Sequence, residues 1–197
     1  MDARPVSYPG GWTVMQRNNQ DFSSLHVHYS PTVQDSIGLY AEHNWQGDFT
    51  FVGGQYNRLV RRWNAPQSQA NLYLNLGLGG AEGFGERAQD EDWGAAGFLG
   101  VAADWETRRV FFSYSTRGYA LGFDETVTHD ARAGLAPYVG DFGDLHTWLM
   151  VELRNTPEAE TPTTVTPLVR VFHGVQLVEL GYTPQTERFM ANWIVRF

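Results

Sequence analysis

The amino-acid sequence predicts an all-β fold: a closed, antiparallel, up-and-down transmembrane β-barrel of about twelve strands. Apolar and polar residues alternate along much of the 197-residue chain, and its aromatic content of 14% with 21 glycines favours strands and tight turns over helices. The longest apolar run, 95–103, is far shorter than the roughly 20 residues of a membrane-spanning helix. A mean hydropathy of −0.37 still permits a membrane barrel, because a transmembrane strand faces lipid only at every second residue.

The alternation is clearest in four segments of the chain. In Leu72–Leu78, leucine occupies every second position, and the same period recurs in Ala95–Trp105, Leu145–Arg154 and Phe189–Phe197. Period two places one set of side chains on each face of a strand. With the weaker segments added, the sequence predicts strands near 11–17, 23–30, 36–44, 49–63, 70–81, 93–106, 107–121, 126–140, 145–155, 163–173, 174–183 and 188–197.

One predicted strand, 49–63, does not keep a single phase. Phe49 and Phe51 fit one face, whereas Tyr56 and Val60 fit the other. A β-bulge adds one residue to a strand and reverses the phase beyond it. We therefore expect a bulge near Gly53 and Gly54.

The C-terminal segment carries a resemblance to a known class of proteins. Phe189, Trp193 and Phe197 share one face of a strand that ends on Phe197, and this resembles the closing strand of bacterial outer-membrane β-barrel proteins. The resemblance implies that these three residues form the signal read by the barrel-assembly machinery. It also implies a location in the bacterial outer membrane, with lipid and lipopolysaccharide as neighbours.

The connections between strands agree with this interpretation. Long connections at Glu82–Asp92, Gly122–Glu125 and Thr156–Pro162 alternate with tight turns near Glu106 and Gly174, as in outer-membrane barrels. We expect residues 1–10 to be a periplasmic N-terminal segment and residues 11–197 to be a single barrel domain. The first five residues contain no apolar signal region, so we expect that a native export signal has been removed and that Met1 marks an expression start.

Aromatic residues near the predicted strand ends are typical of the girdles of membrane barrels; they are Trp12, Tyr29, Trp45, Trp63, Tyr73, Trp93, Trp105, Tyr138, Tyr182 and Trp193. A soluble β-sandwich or lipocalin-like barrel with aromatics in its core is the alternative. A net charge of −8 without a basic run argues against nucleic-acid binding.

If the apolar residues face lipid, the charged residues of the opposite phase face the barrel interior. All 14 basic residues are arginines, whose planar donors pair with carboxylate and phosphate groups. The sequence therefore predicts a narrow channel or binding lumen for a small hydrophilic solute, either an anion or a metal species. Its lining residues are Arg109, Arg117, Arg132, Arg154, Arg170, Arg196, Glu152 and Asp104. The alternative is a structural lumen in which these charges pair with one another.

Two histidines lie two residues apart in the predicted strand 23–30. His26 and His28 point to the same side of one strand, and two imidazoles can begin a transition-metal site that Glu42 or His146 completes. A pair of histidines that only form hydrogen bonds is the other interpretation. The chain has no cysteine, so thiolate ligands and disulfides are excluded.

The same stretch also allows an enzyme. His28 and Ser30, followed by Glu42, resemble the His-x-Ser and later Glu of the outer-membrane lipid A 3-O-deacylase family. The resemblance implies that Ser30 is the nucleophile, His28 the base and Glu42 the orienting acid. Two departures are visible: Pro31 replaces the usual asparagine, and the motif lies early in the chain rather than late.

Overall fold

In a computed structural model, the chain forms a closed barrel of twelve antiparallel strands, which confirms the predicted fold class. The structure describes residues 5–85, 93–141 and 143–197. The strands are β1 (Trp12–Asn18), β2 (Phe22–Tyr29), β3 (Asp35–Asn44), β4 (Phe49–Ala65), β5 (Ser68–Gly83), β6 (Gly94–Thr107), β7 (Val110–Ala120), β8 (Glu125–Leu135), β9 (His146–Asn155), β10 (Thr163–His173), β11 (Gln176–Thr183) and β12 (Arg188–Arg196).

Each strand pairs with the next along the chain, and β12 pairs with β1 to close the ring. The backbone of Phe197 forms two hydrogen bonds with Trp12, of 2.6 and 3.0 Å. We call this side of the barrel the terminal end. The opposite side, the loop end, carries the connections 19–21, 45–48, 121–124, 156–162 and 184–187. The greater part of the predicted loop Glu82–Asp92 lies outside the described residues.

The outer face of the barrel is apolar, as the alternation predicted. Leu72–Leu78 and Ala95–Trp105 present their apolar phase outward, and so does the part of Leu145–Arg154 in β9. Phe189 and Trp193 of β12, and Phe197 directly after it, are all exposed on the outside. Within the described residues, no helix has the length and apolar character required to cross a lipid bilayer.

The prediction of a β-bulge near Gly53 and Gly54 is wrong. The strand pairs with β5 in an unbroken register from Phe49 to Leu59, and the register shifts at Val60 instead. Phe49 and Phe51 therefore point inward, while Tyr56 points outward. The structure also ends β8 at Leu135 rather than near residue 140, which leaves a longer terminal-end connection than predicted.

The interior is filled and contains apolar clusters as well as polar groups. At the loop end, an aromatic cluster contains Tyr40, Phe49, Phe51, Ala81, Phe98, Tyr119 and Leu121. Near the terminal end, Tyr73 packs with Val6 and Leu59, so its predicted place in an outer aromatic girdle is wrong. Two further clusters, one around Trp148 and one around Met15, fill the side formed by β7–β12 and β1.

Candidate functional site

Most of the residues predicted to line the lumen do lie inside the barrel. Six of the eight, on strands β6 to β10, are buried or half-buried on the inner face: Asp104, Arg117, Arg132, Glu152, Arg154 and Arg170. Arg196 is half-buried on the inner phase of β12 near His28. Arg109 is the exception, because it lies in the exposed β6–β7 turn and donates hydrogen bonds to the carbonyls of Ala136 and Pro137. The prediction that Arg109 faces the lumen is therefore wrong.

The buried and half-buried charges of β8 to β11 and of the β1–β2 turn form an ionic cluster, made of Asp21, Asp130, Arg132, Glu152, Arg154, Arg170 and Glu179. Glu179 accepts hydrogen bonds from Arg170 at 2.7 Å and Arg132 at 3.2 Å. The Asn192 amide also donates to Glu179 at 2.7 Å. Arg132 pairs in addition with Glu152. Each carboxylate therefore meets at least one guanidinium, as buried charges require.

Arg154 extends the ionic cluster to the loop end of the barrel. Its Nε lies 2.8 Å from the Asp130 carboxylate, and its Nη1 lies 3.2 Å from Asp21 in the β1–β2 turn. Burial raises the pKa of the Asp21 carboxyl, and the nearby Arg154 opposes that shift. The pair thus joins a connecting turn to the interior of the barrel.

A second set of polar side chains, those of Glu42 and Arg117, contacts the two tyrosines of the aromatic cluster. The hydroxyls of Tyr40 and Tyr119 both donate to the Glu42 carboxylate, and Arg117 donates to the Tyr40 hydroxyl at 2.9 Å. The Arg117 guanidinium also lies 4.4 Å from the centre of the Phe98 ring, a cation–π contact. Glu42 therefore neutralises Arg117 through two tyrosines rather than by direct contact.

Two adjoining cavities lie between the ionic cluster and the aromatic cluster. The larger has a volume of about 140 Å³ and the smaller about 60 Å³, and Arg17 and Arg117 line both. In the part of the chain that the structure describes, the Arg17 guanidinium has neither a hydrogen bond nor an ion pair. The Arg17 guanidinium makes a cation–π contact with the Phe22 ring, 5.7 Å from the ring centre. Arg17 was not among the residues predicted from the sequence to line the lumen. Its position was nevertheless informative, because Arg17 and the exposed Trp12 lie on opposite faces of β1.

The N-terminal residues enter the barrel rather than extending away from it. We call residues 5–11 the N-terminal plug. Val6 is buried against Leu59 and Tyr73, the Pro5 carbonyl accepts a hydrogen bond of 2.6 Å from Ser36, and Pro5 lines the larger cavity. The predicted N-terminal segment 1–10, as far as it is described, thus closes part of the terminal end from inside.

The structure does not bring together the three residues of the hydrolase interpretation. In the β2–β3 pair, His28 lies opposite Gly38, whereas Glu42 lies opposite Ser24. Four residues of strand separate the two rows, which is about 13 Å. The Ser30 hydroxyl is buried and accepts a hydrogen bond of 2.9 Å from the Ser7 backbone amide. Its visible role is to anchor the N-terminal plug.

This role gives a first prediction. Ser30→Ala should lower the free energy of unfolding in detergent by about 1 kcal/mol, because the Ser7 amide loses its acceptor. Lipid A from cells that express either form should have the same mass spectrum. Loss of acyl chains with the wild type but not with Ser30→Ala would contradict the structural role and restore the hydrolase interpretation.

The two histidines of the predicted metal site share the inner face of β2, and within residues 5–85, 93–141 and 143–197 no further ligand accompanies them. The His26 ring packs against Tyr40 at 4.3 Å, and Gly38 leaves room for His28, since a Cβ there would lie 2.6 Å from the His28 Cβ. His146, on β9, contacts the Phe172 ring instead. Among the described residues, no group of three or more histidine, cysteine, aspartate or glutamate side chains could hold a metal ion.

Comparison with known proteins adds little to this description. No family model and no curated protein matches the chain. One solved structure, described as "Unveiling the Mechanism Behind the in-meso Crystallization of Membrane Proteins", is similar to this chain. The alignment covers 95% of this chain and 83% of the chain in that structure, with 13% sequence identity and a TM-score of 0.43.

Proposed function

We propose that the protein is a bacterial outer-membrane barrel whose closed interior binds a small anion. The outer face supports the membrane location, since large apolar side chains such as Leu39, Leu149 and Phe189 stand exposed around it. The inner face holds charges that lipid would exclude: an arginine at mid-bilayer on the lipid face costs about 2–4 kcal/mol. The alternation on β12, with Phe189 and Trp193 outward, resembles that of outer-membrane closing strands and supports the same location.

The observation that carries the anion proposal is the unpaired Arg17 guanidinium between two cavities. Three guanidiniums line the smaller cavity, those of Arg17, Arg117 and Arg154, against the carboxylates of Glu42 and Asp130. Its lining therefore has one positive charge in excess. The adjoining ionic cluster has four carboxylates and three guanidiniums, and its Asp130 and Glu152 attract Arg17 through space without a direct contact. Both carboxylates are already engaged, Glu42 by tyrosine hydroxyls and Asp130 by Arg154. A bound anion would supply the partner that Arg17 lacks.

The size of the cavities restricts the anion. The smaller cavity, of about 60 Å³, has room for a few water molecules or for one small monovalent anion. The aromatic cluster and the N-terminal plug pack the interior on either side of the cavities. The geometry therefore supports a binding lumen better than a continuously open pore.

Anion-dependent stability tests this proposal. In detergent at constant ionic strength, replacing gluconate, which is too large for the cavity, by chloride, nitrate or formate should raise the unfolding temperature. At 100 times the dissociation constant the expected stabilisation is about 2.7 kcal/mol. Arg17→Met should abolish the difference between the salts, since it removes the unpaired guanidinium and keeps an unbranched side chain.

The matched control is Arg188→Met, which removes an exposed arginine at the start of β12. This variant should keep the full anion effect. If wild type, Arg17→Met and Arg188→Met respond identically to every salt, the interior is a structural ionic core rather than an anion site. Planar-bilayer recordings should show no sustained conductance for the wild type; a steady open current would favour the channel interpretation instead.

A further inference from the structure

The outer face of the barrel carries an apolar groove across β2 to β5. At its centre, Gly54 of β4 lies in one row between Leu39 of β3 and Leu78 of β5. These two leucines are 70% and 79% exposed, so they stand as walls on either side of the glycine. The groove has a volume of about 790 Å³, and apolar side chains including Val27, Ile37 and Leu76 also line it.

The width of this groove fits one hydrocarbon chain. Neighbouring strands lie about 4.8 Å apart, so the two leucine walls, two strands apart, are separated by about 10 Å. A methylene chain fills such a gap with the carbon–carbon contacts that dispersion favours.

The terminal-end rim of the groove has groups suited to a polar headgroup. Trp12 and Tyr29 form a ring pair at 5.4 Å, which is the aromatic arrangement found at the membrane–water interface. Tyr56, which lines the groove, donates to Asp35 at 2.6 Å, and Arg58 pairs with the same carboxylate at 2.7 Å. The Arg58 side chain remains 43% exposed, and its free donors can bind a phosphate.

We propose that this groove binds one phospholipid of the leaflet at the terminal end, with an acyl chain over Gly54 and the phosphate at Arg58. The proposal rests on the membrane location proposed above and is independent of the interior anion site. The apolar groove binds the acyl chain, and the Arg58 guanidinium binds the phosphate. Zwitterionic and anionic phospholipids share this chemistry, and the experiment below separates them.

Native mass spectrometry of the full chain in detergent provides the test. The protein would be titrated separately with phosphatidylethanolamine, phosphatidylglycerol and a diacylglycerol that has the same acyl chains. We expect one tightly retained phospholipid per wild-type chain. Gly54→Leu should lower its affinity by about tenfold, which corresponds to about 1.4 kcal/mol. A Cβ at Gly54 has no neighbour closer than 3.9 Å, so this substitution fills the groove without disturbing the strand.

Two further variants make the result specific. Ala133→Leu also places a leucine on the outer face, on β8, and should retain the lipid. Arg58→Gln should weaken both phospholipids and leave diacylglycerol unchanged. A larger loss for phosphatidylglycerol than for phosphatidylethanolamine would identify an anionic lipid; equal losses would identify the phosphate alone.

The proposal is overturned if Gly54→Leu and Ala133→Leu retain phospholipid as the wild type does, or if no stoichiometric lipid is retained by a barrel that inserts into vesicles. If the proposed membrane location is wrong, a different result is expected: the wild-type chain would remain folded and dispersed without detergent. Circular dichroism of each variant confirms that the barrel has formed before lipid is added.

Discussion

Glu179→Gln should lower the free energy of unfolding by about 3 kcal/mol, because it leaves two buried guanidiniums without their shared carboxylate. Glu179 is almost fully buried and bonds Arg132, Arg170 and Asn192. Glutamine keeps the shape of the side chain and removes its charge. Urea-induced unfolding in detergent micelles, followed by tryptophan fluorescence, measures the change.

The control for this prediction is Glu125→Gln at the exposed start of β8. It removes the same charge from the surface, so the change should stay within about 0.5 kcal/mol. Similar effects for Glu125→Gln and Glu179→Gln would show that the interior is hydrated enough to screen the ionic cluster. The cluster would then contribute little to the stability of the barrel.

Leu149→Arg should oppose insertion into lipid vesicles by about 2–4 kcal/mol, because it places a charge on the outer face near the middle of β9. Leu149 is exposed in the barrel, so a soluble protein would accept arginine there with little change. Folding yields into preformed vesicles, read from the shift in electrophoretic mobility between unheated and boiled samples, would measure the effect.

Val139→Arg is the matched control, since Val139 is also apolar and exposed but lies in the terminal-end connection between β8 and β9. It should insert as efficiently as the wild type. If Leu149→Arg also inserts without loss, the apolar outer face does not contact hydrocarbon. The proposed membrane location would then be wrong.

The strands could be predicted from sequence because a period of two is a local property. The predicted bounds of β3 and β10, for instance, agree with the structure to within one residue. Alternation divides a strand into two faces, but it does not say which face is inside when both are apolar. Phe49 and Phe51 resemble lipid-facing residues for this reason, yet they pack in the interior under the loop end.

The site was harder to predict than the strands. It depends on the position of each residue along the barrel axis as well as on whether its side chain faces inward or outward. Ser30, His28 and Glu42 share the inner face, but the strand register places Glu42 four rows away. Arg109 has the inner phase of β7 by count but falls in the turn before it. The N-terminal plug is buried by contacts with residues that are distant in the sequence, such as that of Val6 with Tyr73. A local sequence pattern cannot predict contacts of this kind.

A cysteine scan of β9 tests the central claim most directly, and the absence of native cysteine makes every label unique. Single cysteines would be placed at each position from His146 to Asn155, labelled with a nitroxide and reconstituted in vesicles. We predict that collisions with oxygen dissolved in the lipid peak at Leu149, Val151 and Leu153 and fall at the positions between them. Preferential collision of these three positions with a water-soluble paramagnetic reagent, instead of oxygen, would contradict a barrel with hydrocarbon outside and a polar interior.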